Sequence, residues 1–292
     1  MKYALFIGCV ISVREQSYEM AAREVAKKLG LEFDDIEDFS CCGFPLKSTS
    51  MEASLAVAAR NISLAAEKKE KICTLCNACT SALTEANKEL TNKKVREKIN
   101  KELVKIGRKF NRGTEIKHFS RILYEDIGLD AIKDKIVNDL SNLRFSIHYG
   151  CHYFRPSSLY DHFEDAENPS TVEELVASTG AQVIDYENKL DCCGGAILGV
   201  EEDIALSMAK KKLDILKLKN VDALVTICPF CSIMYGKNQN KIKSKYNVEY
   251  DIPVIYLPQL LGLAFGIDQI KLGLHLNKIK ANAILEKIKV VK

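Results

Sequence analysis

The sequence contains no tryptophan and no stretch approaching the ~20 apolar residues that a membrane-crossing helix needs. The longest apolar candidate, Tyr256–Ile267, is too short. No glycine loop of the form G-x-G-x-x-G occurs, so no flavin or NAD of the chain's own is expected. Charge of one sign is also scarce: 42 basic residues against 39 acidic ones leave a formal net charge of +3. That balance gives no argument for nucleic acid, whose binding usually needs a concentrated basic face. It leaves room for local Lys or Arg pockets that take a small anion.

What the chain has in excess is cysteine, 11 in 292 residues. An odd count fits a closed disulfide framework poorly, and the chain is long for a disulfide-stapled scaffold. Hydrophobic residues make up 47% and charged residues 28%, the composition of a globular protein with a real core and room for two domains. The N-terminal segment MKYALFIGCV looks like a short signal peptide. The same pattern returns as FSIHYGC at Phe145–Cys151, where no targeting signal belongs, so both read as a strand running into a cysteine loop. Free thiols point to a reducing compartment and predict a cytoplasmic protein.

The cysteines form a tandem repeat. The first copy reads Gly8-Cys9, Cys41-Cys42-Gly43 and Cys76-x-x-Cys79; the second reads Gly150-Cys151, Cys192-Cys193-Gly194 and Cys228-x-x-Cys231. Corresponding positions are offset by 142, 151 and 152 residues. The smaller first offset places an insertion in copy two, expected at Asp161–Thr171, which carries Asp, Glu, Asn and Pro. The flanks repeat as well: YALFIGC with FSIHYGC, EKICTLC with DALVTIC, and EIKHFSRIL with IPVIYLPQL. Short β-branched and aromatic runs alternate with helix-period segments at Glu15–Leu29, Met51–Lys69, Val172–Ser178 and Asp203–Leu218. This predicts an α/β fold of two pseudo-symmetric repeats, each a small, mainly parallel sheet flanked by helices. The division is expected near Asp139–Asn142, giving units 1–140 and 141–292. Thr91–Arg112, rich in Lys, Arg and Glu, reads as a solvated helix pair. Cys9, Cys76, Cys151 and Cys228 should stand at the carboxyl ends of strands, where open α/β sheets bind ligands.

A C-x-x-C turn that opens a helix aims two thiols at one centre, and the helix N-terminus stabilises anionic sulfur. Adjacent cysteines reach one centre only through a sharp turn, which the following glycine permits. Each copy thus offers five thiolates: Cys9, Cys41, Cys42, Cys76 and Cys79, then Cys151, Cys192, Cys193, Cys228 and Cys231. Zinc takes four ligands in a tetrahedron. Five sulfurs suit an iron–sulfur assembly better, because several irons share them. Structural zinc remains the competing reading. Cys73 creates a second C-x-x-C register with Cys76, but aligns with Val225 in copy two and reads as a buried strand thiol.

The segments SCCGFP, HYGCHYFRPS and DCCGGA, in this doubled arrangement, resemble the CCG-domain iron–sulfur family and, within it, the B subunits of methanogen CoB–CoM heterodisulfide reductases. The resemblance covers essentially the whole chain. Relatives that serve as electron-transfer subunits of hydroxy-acid or dicarboxylate oxidoreductases often carry C-x2-C-x2-C-x3-C-P runs, absent here. The resemblance implies a noncubane four-iron four-sulfur cluster in each five-cysteine set. It implies reduction of the coenzyme M–coenzyme B heterodisulfide to two thiols, each cluster taking one sulfur half. It implies electrons delivered by a ferredoxin-like C subunit, a flavin-containing A subunit and a hydrogenase or formate dehydrogenase. The alternative is an electron-transfer subunit of a hydroxy-acid or dicarboxylate oxidoreductase.

Candidates for catalysis are Cys9 and Cys151, the first thiolate of each set, and His152. The imidazole is read either as proton donor to a leaving thiolate or as a hydrogen-bond donor to a cluster sulfur. Arg14, Lys47 and Arg155 are candidates for binding the anionic substrate, or else ordinary surface charges and helix caps. Gly43, Gly194 and Gly195 shape the loops on which substrate would rest. Tyr149, Tyr153 and Phe230 read as aromatic walls, and His118, His162 and His275 as structural.

Overall fold

Residues 1–290 are described by the structure, a computed structural model. Copy one builds a sheet from β1 (Lys2–Phe6), β2 (Glu32–Asp34), β3 (Lys71–Thr74) and β4 (Ile116–His118), in the order β2-β1-β3-β4. A short β5 (Asn138–Asp139) follows. Copy two repeats the plan with β6 (Arg144–His148), β7 (Gln182–Val183), β8 (Ala223–Thr226) and β9 (Val254–Tyr256), in the order β7-β6-β8-β9. Every pairing within these two sheets is parallel. The central strands are covered on both faces, which is why KYALF, KICT and ALVT read as runs rather than alternations. The final strand β10 (Lys289–Val290) pairs antiparallel with β5.

Helices fall where apolar period and caps put them. The helix Met51–Glu67 starts at Ser50, whose side chain accepts from the Ala53 amide. Its copy-two counterpart is Glu202–Lys219. Cys76 and Cys228 are the N-cap residues of the helices Asn77–Glu89 and Pro229–Ser232, so each C-x-x-C opens a helix directly after a central strand. In both copies the glycine of the Cys-Cys-Gly turn is left-handed, with φ +88° at Gly43 and +80° at Gly194. A Cβ there would meet Ser54 O at 2.7 Å or Ala205 Cα and O at 3.0 Å. The turn therefore lies against the following helix, and no side chain fits between them.

Two expectations need correction. Thr91–Arg112 is not a helix pair: one helix, Lys93–Val104, ends in a turn at Gly107 with φ +68°. Asn100 then bridges to both the N–H and the carbonyl of Phe110, which is buried and pins the returning chain. The expected helix from Glu15 begins earlier, as Gly8–Arg14 followed by Gln16–Lys28. In copy two the matching stretch is occupied by the single turns Cys151–Tyr153 and Ser157–Tyr160 before the helix Thr171–Ala177. The insertion is organised by Glu164, whose carboxylate accepts from the backbone of Ser170 and Thr171 and from the Thr171 hydroxyl.

The copies meet around Glu15, which is 4% exposed. Its carboxylate accepts from Tyr256 at 2.6 Å and Ser232 at 3.2 Å, and pairs with Lys237 at 2.9 Å. Tyr18 stacks on Tyr256 with ring centroids 4.0 Å apart. Replacing Glu15 with Ala leaves two buried hydroxyls without an acceptor and should cost about 2–4 kcal/mol. Urea unfolding of the variant checks this; a loss below about 1 kcal/mol would show that this contact does not join the halves.

Candidate metal centre

The strand ends deliver the second cysteine set to one cavity. Cys151 follows β6 and Cys228 follows β8, while the turn Cys192–Gly194 comes in from the side. All five thiols line a cavity of about 60 Å³, together with Phe44, Asn77, His152 and Phe230. Cys231 Sγ lies 3.6 Å from Cys193 Sγ. The amides of Gly194 and Gly195 point at Cys192 Sγ and Cys193 Sγ at 3.4 and 3.3 Å, so these glycines serve the sulfurs through their N–H groups.

The first set is more open, with four of its five thiols lining one cavity. Cys9, Cys42, Cys76 and Cys79 line a second cavity of about 20 Å³. Cys41 and Cys9 also face an adjoining open cleft of about 430 Å³. Phe44, Ala78 and Phe230 line both thiol cavities, so a thin apolar wall is all that divides them. Across it, the thiols of Cys76 and Cys228 bias each other's ionisation, Cys228 downward and Cys76 upward. Cys73 sits in β3, fully buried, and is not among the residues lining either cavity.

The donor chemistry fits a cationic centre. All eleven cysteines are free thiols. Crowding lets only some of them ionise. Cys42 is lowered to about 4 by hydrogen bonds from Cys41 and Cys79, and Cys228 is lowered by Cys231 and Cys76. Their partners are pushed up: Cys79 by Cys42, Cys76 by Cys228, and Cys231 by Cys193. Five sulfurs aimed at one point become thiolates together only if positive charge stands between them. An iron–sulfur assembly supplies that charge, and the two sets named in the sequence are the residues that would hold it.

The polar residues are dispersed. His152 lines the second cavity, half-buried, edge-on to Phe44 with centroids 5.0 Å apart. Burial lowers its pKa, the Cys228 thiolate opposes that, and Lys47 adds to it. Lys47 is therefore within electrostatic reach of the cavity, ion-paired to Glu85. Arg14 is exposed and lines a separate cleft with Glu15 and Lys237. Arg155 is turned away, bonding the Ala166 carbonyl at 2.6 Å and holding the insertion. Tyr149 and Tyr153 are buried beneath the second set, and Phe230 is the shared wall. His118 donates through Nε2 to the Ile227 carbonyl at 3.0 Å while its Nδ1 accepts from Ser120. His162 takes a left-handed turn position with φ +55°, and His275 lies in the turn Leu274–Leu276.

Sequence reasoning missed Asn77, His148 and Lys212. Asn77 Nδ2 donates to the Tyr149 carbonyl at 2.6 Å, tying the C-x-x-C of copy one to the Gly150-Cys151 loop of copy two. His148 and Lys212 are buried and hydrogen-bonded to each other beside the second set. Aligning the two copies beyond the cysteines would have found the last pair, since copy one carries neither a His nor a Lys at the matching places.

Known proteins share this arrangement. The cysteine-rich domain family CCG matches twice, at residues 3–84 and 145–235. The B subunit of the ferredoxin:CoB-CoM heterodisulfide reductase of Methanosarcina mazei is 35% identical, over 98% of this chain and 97% of its own length. The 8-methylmenaquinol:fumarate reductase membrane anchor subunit of Wolinella succinogenes is 33% identical, over 97% of this chain and 99% of its own. No helix among the described residues of this chain is long and apolar enough to cross a membrane. The crystal structure of a hypothetical protein from Helicobacter pylori superposes with a TM-score of 0.77 at 16% identity, covering 96% of this chain and 52% of that one, a likeness of fold. The doubled family match and the near-full-length kinship agree with the doubled five-thiol site: this chain belongs to the CCG cysteine-rich family of iron–sulfur proteins, in the branch that includes the B subunits of heterodisulfide reductases.

Proposed function

We propose that the chain is the catalytic subunit of a cytoplasmic heterodisulfide reductase, cleaving the coenzyme M–coenzyme B disulfide to two thiols. The observation that carries this reading is the thin wall between the two thiol cavities: Phe44, Ala78 and Phe230 line both, so two centres face one apolar locus. Reducing a disulfide takes two electrons and two protons and yields two thiols. Iron–sulfur centres, here two noncubane four-iron clusters, supply electrons singly. Held by the two cysteine sets, two such centres would supply the two electrons at one locus without release of a thiyl radical. The residues that would hold them are Cys9, Cys41, Cys42, Cys76 and Cys79, and Cys151, Cys192, Cys193, Cys228 and Cys231.

The chain's other residues prepare that locus. Phe44 and Phe230 exclude water from the sulfurs. His152, which lines the second cavity, would take up a proton from solvent as negative charge builds on the sulfur and pass it to the departing thiolate. Lys47 supplies positive charge toward the anionic ends of the substrate. Electrons come from a ferredoxin-like C subunit and a flavin-containing A subunit, fed by a hydrogenase or formate dehydrogenase. A second reading, an electron-transfer subunit of a dicarboxylate oxidoreductase, is favoured by the near-full-length match to the fumarate reductase subunit of Wolinella succinogenes.

Anaerobically purified protein should contain about eight irons and about eight acid-labile sulfides per chain. Cys73→Ser should keep all of them, and Cys193→Ser should lose about half. Stoichiometric zinc with little iron would remove the redox reading altogether. Turnover of the heterodisulfide with a viologen donor should fall at least a hundredfold in Cys228→Ser, although the copy-one iron remains. Undiminished turnover in that variant would sink the two-centre mechanism, and no turnover in the unmodified, iron-loaded chain would favour the electron-transfer subunit.

A further inference from the structure

The two halves are close copies in backbone but unequal in charge. His148 is the third residue before Cys151, as Phe6 is before Cys9. The register confirms the match, since Phe6 pairs with Thr74 and His148 with Thr226. Lys212 stands seven residues beyond Ala205, the helix residue that Gly194 rests on. Asn61 stands seven beyond Ser54, the residue under Gly43. Copy one therefore has Phe6 and Asn61 where copy two has His148 and Lys212.

Asn61 and Lys212 do the same structural work. Asn61 accepts from the Ser40 amide at 3.0 Å and donates to the Cys41 carbonyl at 2.9 Å. Lys212 donates to the Lys189 and Asp191 carbonyls at 2.9 and 3.2 Å. Each fastens the loop before the adjacent cysteines, and in copy one a neutral amide suffices. The ammonium of Lys212 is thus an addition, and a costly one, because it is 2% exposed. No carboxylate pairs with it within ion-pair distance among the described residues. Tyr186 and Tyr235 lie beside it, and the anions that favour its charge are Cys231, Cys193 and Cys192 together with Asp191. Burial is the largest influence and lowers the Lys212 pKa to about 8, and the neighbouring sulfurs and Asp191 offset that desolvation in part.

His148 extends the arrangement. Its Nδ1 is 3.0 Å from Lys212 Nζ. An ammonium only donates, so Nδ1 accepts and the ring hydrogen belongs on Nε2. Nε2 is buried without a hydrogen-bond partner. A ring nitrogen of His148 and the sulfurs of Cys193 and Cys231 lie within 4.8 Å of one another. With Nδ1 occupied by Lys212, the ring's free N–H lies on Nε2, unpartnered beside the second set, and the imidazole has no lone pair left to act as a sixth ligand.

We propose that Lys212 and His148 make the centre held by the second cysteine set the stronger electron acceptor of the two. Added electrons make the centre more negative, and both a buried cation and an imidazole N–H dipole beside the sulfurs stabilise that state. The first electron to reach the chain therefore settles on copy two. This rests on the iron–sulfur reading above and adds to it a direction of transfer inside the chain.

The test is a redox titration of the anaerobic, iron-loaded chain followed by paramagnetic resonance. Two separate one-electron steps are expected, and Cys193→Ser should abolish the higher one. Lys212→Asn and His148→Phe, which install the residues of copy one, should each lower the higher step by at least tenfold in its equilibrium constant, about 59 mV, and leave the lower step in place. Lys212→Arg should retain it. Coincident steps in the unmodified chain, a higher step that survives Cys193→Ser, or unmoved steps in an iron-replete Lys212→Asn would each overturn the proposal. Should Lys212→Asn fail to fold, His148→Phe decides alone, an unmoved higher step counting against. A chain that takes up zinc instead of iron defeats the iron–sulfur reading first, an outcome that iron analysis separates from a null shift.

Discussion

Crowded sulfur is the constraint on which the rest of this molecule depends. Thiols crowded round one cavity resist common ionisation, and the fold has to hold them there against that resistance. Parallel strands do this at their carboxyl ends, where β1, β3, β6 and β8 all finish in cysteine loops. The left-handed glycines Gly43 and Gly194 bring the adjacent cysteines round against a helix, and the C-x-x-C pairs begin helices whose free N–H groups favour anionic sulfur. The apolar walls keep water from competing as a ligand. Each of these is a local device, and each appears in both copies because the sulfur problem is posed in both.

Much of this was legible in the sequence because cysteine spacing is a covalent fact with a geometric consequence. Two glycine-cysteine strand ends, two Cys-Cys-Gly turns and two C-x-x-C helix starts predict two parallel sheets with their ligands on one side. The match of EIKHFSRIL with IPVIYLPQL foretold the edge strands β4 and β9, each running into a helix. The stretch Thr91–Arg112 misleads because its charge pattern fits helix throughout, while Gly107 and the Asn100–Phe110 bridge decide otherwise. The placement of Arg14 and Arg155 could not be read, because proximity in sequence to a cysteine does not say which way a long side chain leaves the backbone. Lys212 was hidden among Lys210, Lys211 and Lys212, which look like a solvated face; burial of one of the three depends on helix phase against a sheet not yet built.

The contrast between Asn61 and Lys212 shows how a duplicated scaffold acquires direction. The loop-fastening role is common to both halves, and either residue fills it. Only one brings a charge into the protein interior. The same loop-fastening position is thus neutral in one half and cationic in the other.

The carbonyl of Ile227, one residue before Cys228, accepts from Tyr18 at 3.1 Å and from His118 at 3.0 Å, both residues of copy one. The Tyr149 carbonyl, two residues before Cys151, is likewise held by Asn77 of copy one. Copy two's ligand loops are thus finished by its neighbour, as an arch is closed by a stone from the opposite pier. The support runs one way, so a substitution at Tyr18, Asn77 or His118 in copy one reaches the ligand loops of copy two. Copy two separated from copy one would lose the donors to the Ile227 and Tyr149 carbonyls and with them the set of its ligand loops.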